Sequence, residues 1–154
     1  MLNSTYQVLL KLKKQRRGKT VVFTSGVFDI LHVGHLRLLQ QAKAMGDILV
    51  VGVNSDASVK KLAKGKDRPI HTLQLRMEML KSQKCIDFVI AFEEDTPCEL
   101  IEKLGPDIHV KGGDYSFSDL PEGQIVLKGG GGVMIVPLRQ GHSSTSIINR
   151  LRED

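Results

Sequence analysis

No stretch of this chain approaches the roughly 20 consecutive apolar residues that a bilayer-spanning helix needs, and the run Ile48–Val53 is of strand length. A secretory leader is equally hard to find, because Lys11, Lys13 and Lys14 interrupt and follow the N-terminal apolar stretch instead of preceding it. Cysteine is scarce. Cys85 and Cys98 form no C-x-x-C pair, and two thiols are too few to build a disulfide framework in 154 residues. Both are read as reduced, partly buried thiols, and the chain as cytoplasmic. Two phosphate-loop fingerprints are missing as well. Gly18-Lys19-Thr20 has Lys13 where a Walker A loop needs its first glycine, Gly129–Gly132 is not followed by Lys-Ser/Thr, and G-x-G-x-x-G does not occur.

Acid is absent before Val21, where Lys11, Lys13, Lys14, Arg16, Arg17 and Lys19 carry six positive charges. The other 22 − 6 = 16 bases stand against 17 acids, a balance of −1, so the formal +5 of the chain is local to this segment. A helix is expected from Ser4 to Arg17, with Tyr6, Leu9 and Leu10 packed on the domain and the basic residues in water. A solvated face accounts for it, and contact with nucleic acid or an acidic partner is the lesser reading. The chain divides into a basic N-terminal helix, 1–20, and a single domain, 21–154. A hydrophobic share of 41% and a charged share of 25% suit one domain with a full core.

The organising stretch runs from Val21 to Met45. Val21, Val22 and Phe23 read as a buried strand. Leu36, Leu39, Ala42 and Met45, widened by Leu38, read as the buried face of a helix that Gly46 caps. Between them lies a turn with Ser25, Gly26, Asp29, His32, Gly34 and His35. A strand entering a helix through such a turn gathers unpaired N–H groups and the positive end of the helix dipole, which suits a phosphate. His32 and His35 add two imidazole donors, and Gly34 clears the approach. A metal would require a third ligand, for which Asp29 is the nearby candidate.

Further along, Asp47–Asn54 reads as a central strand covered on both faces, closed by Asn54, Ser55 and Asp56. A basic, glycine-containing loop follows, which composition alone reads as a solvated lysine loop and in which Lys64, Lys66 and Arg68 are within reach of a polyphosphate as the other reading. Leu73–Lys84 suits a helix with Leu73, Met77 and Leu80 on one face and Arg76 beside it. Phe88–Phe92 is a strand, Thr96-Pro97 opens a helix to Leu104, and Ile108–Val110 is a strand ending in K-G-G-D-Y, with His109 packed. Leu120–Lys128 is a short helix, Val133–Val136 a strand, and Ser143 or Ser144 caps a last helix carrying Ile147, Ile148 and Leu151. The alternation indicates one α/β domain, a Rossmann-like open parallel sheet with helices on both faces. Its ligand site is expected beyond the carboxyl ends of the strands.

G-V-F-D-I-L-H-V-G-H, preceded by a strand, resembles the signature of the nucleotidyltransferase superfamily. That superfamily contains the bacterial cytidylyltransferases, pantetheine-phosphate adenylyltransferase and, more remotely, class I aminoacyl-tRNA synthetases. V-G-V-N-S-D-A-S-V, K-G-K-D-R-P-I, F-E-E-D-T-P, V-K-G-G-D-Y and S-S-T-S-I-I narrow the likeness to the adenylyltransferases that make ADP-heptose for lipopolysaccharide, which also occur as half of a bifunctional kinase–adenylyltransferase. Departures are Ser25, commonly Asn there, the surroundings of Ala63, and His142.

The resemblance implies transfer of AMP from ATP to a heptose 1-phosphate, with magnesium travelling on the nucleotide and no metal ligand named in the protein. It assigns catalysis to His32, His35 and Lys64. Nucleotide binding falls to Thr24, Gly26, Val27, Phe28, Arg76, Lys111, Gly112, Asp114, Ser143, Ser144 and Thr145, and sugar-phosphate binding to Asp29, Asn54, Asp56 and Arg68. A homodimer is the candidate assembly, with no membrane contact. Cytidylyltransferases carry an arginine three residues before the glycine of a C-terminal G-x-S-T-T motif; Leu138 stands there, with Arg139 one residue out of register, which points to ATP over CTP. The rivals are a cytidylyltransferase acting on glycerol 3-phosphate and a non-catalytic nucleotide- or nucleic-acid-binding module.

Overall fold

The computed structural model describes residues 2–62, 67–116, 119–137 and 143–152. Helix α1 (Leu2–Gln15) leads into β1 (Val21–Gly26), α2 (Val33–Ala44), β2 (Ile48–Asn54) and α3 (Asp56–Lys61). Then come α4 (Leu73–Lys81), β3 (Phe88–Phe92), α5 (Cys98–Leu104), β4 (Ile108–Gly112), α6 (Pro121–Lys128), β5 (Gly132–Val136) and α7 (Ser144–Arg152). The five strands form one parallel sheet in the order β3-β2-β1-β4-β5.

Why these stretches are strands is visible in their burial. Every residue of β2 is buried, as a central strand covered on both faces requires. Val21 and Phe23 point to one face, into a core shared with Leu12 of α1, Leu100, Ile101 and Leu104 of α5, and Val126 of α6. Val22 points to the other, against Leu38, Leu39 and Ala42 of α2 and Leu80 of α4. The sheet is therefore sandwiched between α1, α5 and α6 on one side and α2 and α4 on the other, the Rossmann-like arrangement the alternation predicts.

Two local expectations change. On α1 the packed stripe is Thr5, Val8, Leu9 and Leu12, while Tyr6 is 60% exposed and Leu10 also faces water. Arg16 is not a solvated charge either: its Nη1 and Nη2 donate to the Leu104 and Gly105 carbonyls, both at 2.7 Å, and so close the end of α5. Gly46 ends α2 as expected, one residue past the cap Met45, with its N–H donating to the Lys43 carbonyl at 3.3 Å. Its reason is close approach, because a Cβ there would stand 2.6 Å from Val22 Cγ2 and 2.9 Å from the Thr20 carbonyl oxygen.

Candidate active site

The chain lays β1, β2 and β3 outward in one direction, then returns to place β4 on the other side of β1. The crevice of an open α/β sheet lies where the order reverses, beyond the carboxyl ends of the strands. A cleft of about 320 Å³ opens there, lined by Ser25 through Asp29, His32, Gly34, His35, Leu38, Arg68, Lys111, Gly112, Tyr115 and Ser143–Thr145. A larger groove of about 740 Å³, between α1, α4 and β3, mixes apolar side chains with Lys11, Lys81, Glu78 and Asp87 and contains neither the histidine turn nor the start of α7.

The turn from β1 into α2 is tightly wound. Phe28 and Ile30 adopt φ of 50° and 52°, a left-handed conformation that is costly for bulky and β-branched residues. Such residues persist where their surroundings hold them, at about 1–3 kcal/mol each. Phe28 is buried, with its ring 5.4 Å from that of His35. His32 is the N-cap of α2: its Nδ1 accepts the Gly34 N–H at 3.0 Å. A nitrogen that accepts carries no proton, so the neutral ring donates through Nε2. His35 stacks on it, with centroids 3.9 Å apart and the ring planes inclined by 28°. Two imidazoles thus stand together at the positive end of α2.

Asp29 organises the opposite wall. Its carboxylate, fully enclosed, accepts from Arg68 Nε at 2.8 Å, the Ile70 N–H at 2.8 Å and the His71 N–H at 2.9 Å. Burial pushes its pKa up, but the His71 and Ile70 N–H groups and the Arg68 charge outweigh this and hold it below the ordinary 3.8. Ser144 Oγ donates to the Asp29 carbonyl, tying the start of α7 to the same turn. Ser143 caps α7 by accepting the Ser146 N–H at 3.0 Å. A second helix N-terminus thereby faces the cleft.

The expected site residues divide into three groups. Gly26, Val27, Phe28, Asp29, His32, His35, Arg68, Lys111, Gly112, Ser143, Ser144 and Thr145 are brought together on the cleft. Thr24, Asn54, Asp56, Arg76 and Asp114 are not on its lining. Thr24 is buried within β1. Asn54 Nδ2 donates to Ser58 Oγ, and Asp114 lies exposed beyond β4.

Arg76, expected to face phosphate, is 0% exposed and spends its guanidinium internally. It donates to the His71 carbonyl at 3.0 Å, the Val27 carbonyl at 2.6 Å and Asp56 Oδ1 at 2.7 Å. It braces the turn that carries the cleft and occupies Asp56 in doing so. Lys64 lies outside the described residues, as do Leu138, Arg139 and His142. Tyr115 lines the cleft without having been assigned a role, although the aromatic after K-G-G-D was a readable signal.

Among the described residues no group of three His, Cys, Asp or Glu side chains could hold a metal ion. Among the described residues Asp29 is the one carboxylate that lines the cleft, and both its oxygens are already engaged. The described residues do not fit a protein-held magnesium.

A cytidylyltransferase-like family profile matches residues 23–150. The chain is 51% identical over 138 residues to the bifunctional protein HldE of Syntrophotalea carbinolica, covering 90% of this chain and 28% of that protein. It is 50% identical over 134 residues to the bifunctional protein HldE of Coxiella burnetii, covering 87% of this chain and again 28% of the relative. The chain thus spans little more than a quarter of these curated relatives. Among solved structures, the lipopolysaccharide core biosynthesis protein of Thermoplasma volcanium superposes with a TM-score of 0.67 at 31% identity, covering 81% of this chain and 100% of that one. The pantoate-beta-alanine ligase of Francisella tularensis, at 17% identity and a TM-score of 0.65, covers 97% of this chain and 76% of that one and shares the fold.

Proposed function

The chain belongs to the cytidylyltransferase-like family, and on that premise we propose that it transfers AMP from ATP to a heptose 1-phosphate. The observation that carries this reading is the convergence of two helix N-termini, two imidazoles and the Asp29-anchored Arg68 on one cleft at the sheet's switch point. It is a site for more than one anionic group. The likeness to a lipopolysaccharide core biosynthesis protein over that protein's whole length supports the sugar, and the matches to just over a quarter of each bifunctional relative support a transferase unit that is elsewhere fused to a second activity.

In the reaction an oxygen of the sugar phosphate attacks the α-phosphorus of ATP. The new P–O bond replaces the bond to the β-phosphate oxygen, and pyrophosphate leaves with the electron pair. The nucleophile is already ionised, so no general base is required. Rate comes from alignment and from donors aimed where charge develops. His32 Nε2–H, His35 and the amides at the start of α2 serve the transferring phosphoryl group; Lys64 is a third donor. The start of α7 and the Gly26–Phe28 turn hold nucleotide phosphates, and Arg68 takes the sugar phosphate. Magnesium arrives on the triphosphate rather than in a protein cage. The cytoplasm, where ATP and sugar phosphates meet, is the compartment this chemistry needs, and no helix among the described residues is long and apolar enough to cross a membrane.

The test is pyrophosphate release with ATP and CTP, each against heptose 1-phosphate and glycerol 3-phosphate. The highest kcat/KM is expected for ATP with the heptose. A preference for CTP with the glycerol substrate would overturn both choices while keeping the transferase, and no release with any pair would reduce the protein to a binding module.

A further inference from the structure

Glu122, in the first turn of α6, is a buried carboxylate that the chemistry above leaves unused. Its Oε1 accepts from Lys111 Nζ at 3.2 Å. The other group near it is His109, whose Nε2 lies 4.0 Å away. His109 cannot share the charge. Its Nδ1 is 3.3 Å from the Phe23 carbonyl, an oxygen that only accepts, so Nδ1 carries the proton and Nε2 turns a lone pair towards Glu122. Burial, opposed by Glu122 and aided by Lys111, lowers the ring's pKa to about 4, and the imidazole is neutral at neutral pH. Among the described residues Lys111 is therefore the cation that answers this carboxylate.

A buried carboxylate with a single cation constrains that cation, because separating them strands a charge in a poorly solvated place. Lys111 lies at the carboxyl end of β4 and lines the cleft. Its ammonium also stands 5.4 Å from the centre of the Tyr115 ring, within cation–π range. Gly113 makes this arrangement affordable to the backbone: its φ is +131°, and a Cβ there would meet the Tyr115 ring at 2.8 Å. The lysine is thus fixed by a carboxylate behind it and an aromatic face beside it.

We propose that Glu122 is a positioning residue that holds the Lys111 ammonium at the cleft wall beside Tyr115, so that nucleotide meets a cation already in place. The inference rests on reading the cleft as the nucleotide site. A free lysine would have to be ordered at each binding event; a tethered one has been ordered in folding.

ATP binding and steady-state turnover should be compared in wild type, Glu122→Gln, Lys111→Met and the double variant. Glu122→Gln should raise KM for ATP about 3- to 10-fold, the cost of ordering one long side chain on binding, with kcat changed far less. Lys111→Met should raise it at least as much, and the double variant no further, since the two residues act as one unit. Glu122→Asp, which keeps the buried charge on a shorter arm, should fall between, and serves if Glu122→Gln folds poorly. Unchanged or lowered KM in Glu122→Gln, or effects that add in the double variant, would overturn the proposal while leaving the cleft's assignment intact. Failure of wild type to bind ATP would overturn the assignment and the inference with it.

Discussion

The rings of His32 and His35 stack with their centroids 3.9 Å apart, and of the two only His32 is also a helix cap. The two should therefore differ in what their loss does. Each alanine substitution should lower kcat by about 10²–10³, the usual effect of removing one donor to developing charge. His32→Ala should in addition cost about 1 kcal/mol of stability through the lost cap, while His35→Ala should melt close to wild type. Because the rings touch, the kinetic effect of the double variant should be smaller than the product of the single ones. Single-turnover rates and thermal melts read these separately.

Asp29 links stability to pH. Its folded pKa lies below the ordinary 3.8, so its stabilising contribution is complete above that value and is lost as pH falls through the folded one. Asp29→Asn should destabilise by about 3 kcal/mol near neutral pH, because it leaves Arg68 without its charge partner in a largely enclosed place. The gap between wild type and variant in urea unfolding should narrow on acidification below about pH 4. A gap that stays constant from neutral to acid pH would show that Asp29 contributes no linked charge.

Arg76 is predicted to act through the fold. Arg76→Lys keeps the charge but cannot reach the Val27 carbonyl, the His71 carbonyl and Asp56 together. It should lower stability by about 3–5 kcal/mol, as breaking a buried ionic network does, and raise the KM for nucleotide by loosening the turn. A variant with unchanged melting temperature and impaired KM would instead mark Arg76 as a direct phosphate ligand.

The N-terminal helix is predicted to brace the domain without entering its chemistry. Leu12→Ala removes a buried side chain from the core and should cost about 2–5 kcal/mol. At temperatures where the variant remains folded, kcat/KM should match wild type. Turnover that falls in the folded variant would place α1 among the elements that build the cleft.

Much of this was legible in the sequence because it is encoded locally. β1 and β2 announce themselves as continuous apolar runs, and the histidine turn lies within a few residues of the strand that aims it. The failures involve partners distant in sequence. The motif around Arg76 says nothing of the Val27 carbonyl, 49 residues away, that accepts one of its N–H groups, or of Asp56, which pairs with its charge. On α1 the apolar residues spread around the helix, and of the expected Tyr6, Leu9 and Leu10 only Leu9 packs on the domain, beside Val8 and Leu12. Which stripe is buried depends on where Leu104 and Val21 stand, and helical periodicity does not contain that. Glu122 reads as an ordinary first-turn acid until β4 places Lys111 and His109 against it.

Helix α7 sets its first turn on the cleft, yet none of its residues is buried, and among the described residues Ser144 on the Asp29 carbonyl and Arg152 on the exposed Asp67 are its polar moorings to the rest of the chain. An element held so lightly opens far more often than the whole molecule unfolds. Amide exchange in α7 should accordingly run orders of magnitude ahead of that in α2. Passage of a bulky ligand at this end of the sheet then needs no rearrangement of the strands, only the brief release of one helix that Ser144 ties to the Asp29 turn.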